Sequence, residues 1–194
     1  MKIVILDYGA GNVQSILFAL ERLGHRAVLT RDPQRIHAAD KVIFPGVGEA
    51  SSAMANLRAS GLDLLIPGLK QPVLGICLGM QLMCNTSEEG NTRGLGIFDL
   101  GVKRFSNALK VPQMGWNRLN TPKGNLFRGI EQGAHVYLVH SYYAPLSGDT
   151  VATVDYGLEY SAALQRDNFY GVQFHPEKSS GVGSTLLDNF LKMG

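Results

Sequence analysis

Apolar positions follow two different rhythms along this chain, with a change near residue 101. In the first half, short continuous apolar runs alternate with segments whose apolar side chains recur at helical spacing. Residues 2–7 read as a short buried strand, followed by the Gly-rich turn Gly9-Ala10-Gly11. A helical pattern over 12–23 then places Ile16, Leu17, Leu20 and Leu23 on one face, with Gly24 as its stop. Strands are expected over 27–30 and 41–44, the second ending at Pro45-Gly46-Val47-Gly48, and a helix over 49–60. Residues 72–76 form another apolar strand, which runs directly into Cys77 and a following helix. This alternation predicts an α/β fold with a central, mostly parallel sheet flanked by helices.

From about residue 101, segments 102–105, 134–140, 151–155, 160–165 and 169–174 read as strands joined by turns. They suggest an antiparallel extension or a mixed edge to the sheet, closed by a final helix over 183–192. No internal repeat, low-complexity tract or linker divides the chain, so residues 1–194 are expected to form one domain.

Composition adds mainly exclusions. The chain is 45% hydrophobic and 18% charged with a net charge of +2, which gives no reason to expect nucleic acid or a membrane as partner. The apolar stretch at the start is too short for a signal peptide or a membrane span, and no later one is long enough. Two cysteines, Cys77 and Cys84, do not make a disulfide scaffold, and no Cys/His spacing suggests a metal site. These features predict a reduced, cytoplasmic protein that needs no cofactor.

The most informative segment is Gly75-Ile76-Cys77-Leu78-Gly79-Met80-Gln81. A strand feeding Gly-x-Cys-x-Gly and then a helix is the sequence form of a nucleophile elbow. The sharp turn lifts the thiol clear of the sheet, and small flanking residues avoid clashes. The helix N-terminus favours the thiolate, which matters because only ~3% of an unperturbed thiol is ionised at neutral pH. An isolated cysteine would be read as buried packing, and Cys84, expected seven residues into the helix without such flanks, is assigned to the core.

A thiol nucleophile needs a base and a group that orients it. His25 and His37 read as surface residues, and His135 and His140 as structural histidines on one strand. His175 ends the alternating run Tyr170-Gly171-Val172-Gln173-Phe174, and Pro176 stiffens the chain before Glu177. Residues two apart in extended chain point the same way, so Glu177 can hold the imidazole and select its tautomer. The bland alternative, a strand-end histidine beside a solvated glutamate, is as good until Cys77 is considered. The backbone N–H of Leu78 offers one oxyanion donor, and Val47 in the Gly-rich strand end offers a second.

Taken together, these residues resemble the class I glutamine amidotransferases. The elbow around Cys77, the distant His175-Pro176-Glu177 and the earlier Pro45-Gly46-Val47-Gly48 match that family in order and over nearly the whole chain. The resemblance implies hydrolysis of glutamine through a Cys77 thioester, with glutamine contacts from Gly48, Gln81, Glu89, Ser141 and Tyr142. Asp7-Tyr8-Gly9-Ala10-Gly11-Asn12, Met114-Gly115-Trp116-Asn117 and His140-Ser141-Tyr142 are similar to the glutaminase subunits of imidazole glycerol phosphate synthases, enzymes of histidine biosynthesis. That similarity implies a (β/α)8-barrel cyclase as heterodimer partner, with Asn12, Met114, Trp116 and Lys178 facing it. Gln113 stands where many such subunits carry His, which touches the partner contact and not hydrolysis.

Other readings fit these residues less well. A glutaminase serving pyridoxal phosphate synthase fits the Met114–Asn117 run and the Leu78–Gln81 segment less well. A cysteine peptidase of related fold explains Cys77 and His175 but not the His-Pro-Glu spacing. A dinucleotide loop at Gly9-Ala10-Gly11 fails because Gln14 replaces the third glycine. Lys178-Ser179-Ser180-Gly181 could meet an anion, although an ordinary helix cap accounts for it.

Overall fold

The computed structural model describes residues 1–9 and 11–193. The turn residue Ala10 lies outside the described residues. The first half contains β1 (Ile3–Leu6), α1 (Val13–Arg22), β2 (Ala27–Thr30), α2 (Pro33–His37), β3 (Lys41–Phe44), α3 (Ala50–Ser60) and α4 (Leu62–Leu65). It continues through β4 (Val73–Ile76), α5 (Leu78–Leu82), β5 (Cys84–Ser87), β6 (Thr92–Arg93) and β7 (Phe98–Arg104). The remainder comprises β8 (Gln113–Arg118), β9 (His135–His140), β10 (Tyr142–Tyr143), β11 (Thr150–Asp155), β12 (Glu159–Arg166), β13 (Phe169–Val172) and α6 (Ser180–Lys192).

Seven strands form the central sheet in the order β11-β12-β13-β4-β3-β1-β2. From β13 to β2 every pairing is parallel, while β12 and β11 add an antiparallel edge. The parallel core strands β1, β3 and β4 are buried at every position. That is why they read as unbroken apolar runs, since helices cover both faces of such a sheet. Ile5, Ile43 and Leu74 pack into one core, and Val4, Val42 and Val73 into the other. Each such side chain, fully buried, contributes about 1.5–3 kcal/mol relative to exposure.

Register sets the position of the site. β4 pairs with β13 through Ile76↔Val172 and with β3 through Gly75↔Phe44. The chain therefore leaves three adjacent parallel strands at one sheet edge, as Pro45–Gly48, Cys77 and Gln173–His175. Open parallel sheets bind ligands at this edge.

Several expectations need correction. The helix after Cys77 ends at Leu82, and Cys84 opens strand β5 instead of lying in a helix. Tertiary bonds stop it: Leu82 O accepts from Leu95 N–H, and Met83 O from Ile97 and Phe98 N–H. Cys84 is nonetheless fully buried, as expected of a core residue. Residues 113–118, not among the expected strands, form strand β8, paired antiparallel with β9. His37 lies at the exposed end of α2, a short helix capped by Asp32 Oδ1 on Gln34 N–H at 2.9 Å. His25 is half-buried, and His135 is exposed where a satisfied structural histidine was expected. Among the described residues, no helix is long and apolar enough to cross a membrane.

Candidate active site

Cys77 sits between β4 and α5 with φ 53° and ψ −111°, a backbone conformation that ordinary side chains rarely adopt. The strain is over-determined by its surroundings. Cys77 N–H donates to Val172 O at 2.8 Å, and Cys77 O accepts from Gln81 N–H at 3.2 Å. A Cβ on Gly79 would fall deep inside the Phe44 carbonyl oxygen, and one on Gly75 would meet Met83 and the backbone of Met80. Glycine at both places is thus a requirement of close backbone approach at the elbow.

His175 follows β13 and lies in the same pocket as Cys77. Its Nδ1 lies 2.8 Å from Glu177 Oε1, and the two side chains are 3% and 1% exposed. His175 Nε2 is buried and has no hydrogen-bond partner among the described residues. Burial opposes charge on this ring, yet the neighbouring Cys77 sulfur and the Glu177 carboxylate outweigh it and lift its pKa to about 10. The ring therefore gains by holding a proton beside the Cys77 sulfur and the Glu177 carboxylate.

The pocket holds about 280 Å³ and is lined by Val47, Gly48, Cys77, Leu78, Gln81, Glu89, Pro112, Val139, His140, Ser141, Tyr142 and His175. Its volume suits a small ligand no larger than an amino acid. Every residue expected to contact glutamine or the oxyanion therefore reaches this one pocket. Glu89 Oε2 accepts from Ala50 N–H at 2.8 Å, at the start of α3. Burial raises the Glu89 carboxyl above its ordinary value, with the Ala50 N–H opposing and Glu49 adding to the rise. Gln81 is buried, and its Nε2 donates to Tyr142 O at 2.9 Å and to Gln173 Oε1 at 2.8 Å.

The Gly-rich strand end is drawn against the elbow. Leu78 N–H donates to Gly46 O at 3.3 Å, so this donor is already engaged by protein. The Tyr8 hydroxyl donates to Pro45 O at 2.5 Å and anchors the same segment. Burial, with a smaller push from the Cys77 sulfur, raises the Tyr8 phenol and keeps it a donor. Val47 and Gly48 beyond are exposed, and Gly48 has φ +101°.

Sequence reasoning missed Gln173, Pro112 and Val139. Gln173 is fully buried, and its Nε2 approaches Cys77 Sγ at 3.7 Å, while Val139 O lies 4.0 Å from that sulfur. The available signal was a lone amide inside an otherwise apolar strand end. Gln113 also differs from expectation: its side chain points inward and is buried, so it is not part of an exposed partner face.

The residues expected at a partner face do lie in the open. Met114 and Trp116 are 65% and 54% exposed on the outer side of β8. Trp116 meets Tyr137 edge-on at 6.0 Å, and Lys178 Nζ sits 5.9 Å from the Tyr137 ring centre. Asn12 is exposed at the start of α1, which packs against the turn Pro176–Lys178.

The chain is similar to known proteins along its whole length. The family described as glutamine amidotransferase class-I matches residues 4–193. The imidazole glycerol phosphate synthase subunit HisH of Bacteroides fragilis is 55% identical, with both chains covered completely. The subunit of the same name from Escherichia coli is 50% identical, again over all of both chains. In fold, the chain is similar to PurLQS from Thermotoga maritima, with a TM-score of 0.71 at 15% identity over 98% of this chain and 97% of that one. The chain, with its glycine-flanked cysteine on a strained elbow, therefore belongs to the class I glutamine amidotransferases and, within them, to the family of HisH subunits of imidazole glycerol phosphate synthase.

Proposed function

We propose that this chain hydrolyses L-glutamine and passes the ammonia to the cyclase subunit of an imidazole glycerol phosphate synthase, serving histidine biosynthesis. The observation that carries the reading is a strained Cys77 sharing one small pocket with His175, whose ring is held by the buried Glu177. Cys77 Sγ attacks the side-chain amide carbon of glutamine, and His175 delivers the thiol proton to the departing ammonia. The resulting thioester is opened by a water that His175 deprotonates, which releases glutamate and restores the thiol. Glu177 holds the imidazole through Nδ1, so Nε2 serves both proton transfers. Gly48, Gln81, Glu89 and the Ser141–Tyr142 segment hold the amino-acid end.

Leu78 and Val47 N–H groups stabilise the developing oxyanion. At rest, Gly46 O occupies the Leu78 donor. Rotation of the Gly46–Val47 peptide frees Leu78 and turns the Val47 N–H toward the site, a change that glycine permits cheaply. The chain is one amidotransferase domain over residues 1–194, working in the cytoplasm without cofactor, membrane or nucleic acid. Its partner is a (β/α)8-barrel cyclase, seated on Asn12, Met114, Trp116 and Lys178. The exposed Met114 and Trp116 supply the apolar contact of such a face.

The test is glutamate release from glutamine by the chain alone, with cyclase, and with cyclase carrying its ligand. Strong stimulation only in the complete mixture is expected. Equal rates in all three mixtures would refute the gated oxyanion strand and move the chain to another amidotransferase system.

A further inference from the structure

Behind the pocket runs a buried chain of hydrogen bonds that the proposed chemistry does not use. Tyr142 O accepts from two donors, Gln81 Nε2 at 2.9 Å and His140 Nδ1 at 2.7 Å. A carbonyl oxygen has two lone pairs, so both are filled and the peptide is pinned. His140 Nε2 lies 3.1 Å from the Tyr160 hydroxyl, which donates to Gln113 Oε1 at 2.7 Å. His140, Tyr160 and Gln113 are all buried, and Tyr160 is wholly inaccessible. Phe105 closes the space around them, 5.4 Å from the His140 ring and 5.5 Å from that of Tyr160. In so dry a setting each hydrogen bond is strong, and a broken one leaves a costly orphan.

We propose that Tyr160 and Gln113, acting through His140, are positioning residues that set the Ser141–Tyr142 wall of the glutamine pocket. The proposal rests on the glutaminase reading above. Neither Tyr160 nor Gln113 lines the pocket, whereas Ser141 and Tyr142 do. Their reach is indirect: Gln113 anchors the Tyr160 hydroxyl, the Tyr160 ring packs edge-on against His140 at 5.4 Å, and the His140 ring fixes the Tyr142 carbonyl. Gln113 also precedes the exposed Met114 on β8. Movement of β8 on docking is therefore felt in the pocket by a route that bypasses Pro45–Gly48.

The experiment uses the chain with its cyclase partner and the cyclase ligand, measuring glutaminase kinetics and ammonia-supported synthesis. Tyr160→Phe keeps the ring and removes the hydroxyl. It is expected to raise KM for glutamine about tenfold, the equivalent of one lost hydrogen bond, while kcat stays within about threefold. Ammonia-supported synthesis should match wild type. Gln113→Leu should act in the same direction, and it carries the test should Tyr160→Phe not fold. Gln113→His still offers an acceptor and should restore KM to within about twofold of wild type. The double variant Tyr160→Phe/Gln113→Leu should be little worse than either single change, because both cut one chain. An unchanged KM in folded variants of an active complex, a loss confined to kcat, or fully additive effects would each overturn the proposal. A wild-type complex that releases no glutamate would overturn the glutaminase reading and this inference with it.

Discussion

The two walls of the pocket are built on opposite principles. The Cys77 wall stands on parallel strands and is held by backbone pressed against backbone, with Gly79 under the Phe44 carbonyl. The Tyr142 wall stands on antiparallel strands and is held by side-chain hydrogen bonds through Gln81, His140 and Tyr160. Steric shape enforces the first wall, so it tolerates no added atom. Polar satisfaction enforces the second, so it tolerates no lost partner. A site built this way fixes Cys77, the proposed nucleophile, while leaving the proposed substrate contacts adjustable.

The largest expected effect leaves both walls standing. Cys77→Ala should lower glutamine-dependent synthesis by at least about 10⁴-fold, with ammonia-dependent synthesis unchanged in the same complex. Retained use of glutamine would remove Cys77 from the nucleophile role. Next, Gly79→Ala attacks only the steric wall. The added Cβ meets backbone rather than a flexible side chain, so a loss of about 3 kcal/mol is expected, read as a fall of several degrees in Tm. A Tm equal to wild type would show that the Cys77 wall is softer than its packing indicates.

The smallest effect separates the walls by pH. Burial, with the nearby His175 adding and the Tyr142 carbonyl opposing, lowers the pKa of His140 to about 4. The fold thus prefers the neutral ring. This contribution to stability is complete above about 6.5, the unfolded value, and is lost as pH falls through about 4. Chemical denaturation of wild type and His140→Asn across this window should differ in slope, the wild type losing up to about 3 kcal/mol more. Parallel slopes would mean that His140 accepts a proton without cost, and the polar wall would lose its rationale.

The same division explains what could be read before the fold was known. Gly75 and Gly79 advertise the elbow because the steric demand lies within a few residues of Cys77. His175 and Glu177 are legible for a similar reason, since two residues of extended chain bring them together. The parallel strands were legible as unbroken apolar runs, because burial on both faces leaves no polar position. Gln173 was not legible, since its partner Gln81 lies 92 positions away and a lone amide says nothing of which groups satisfy it. The early end of α5 at Leu82 was hidden too, because no glycine or proline marks it and the stop comes from N–H groups of Leu95, Ile97 and Phe98. Gln113 was not legible as an inward residue either, because only the pairing of β8 turns it inward beside an outward Met114.

The bond from Leu78 N–H to Gly46 O also bears on how inhibitors should be ranked. Under the proposed mechanism, a compound that mimics the tetrahedral intermediate must first displace a carbonyl that already satisfies its intended donor. Affinity measured on the lone chain then reports the cost of turning that peptide as much as the fit of the compound. Screening against the resting chain would favour molecules that ignore the oxyanion position. The better mimics would stand out only when the assembled synthase is the target.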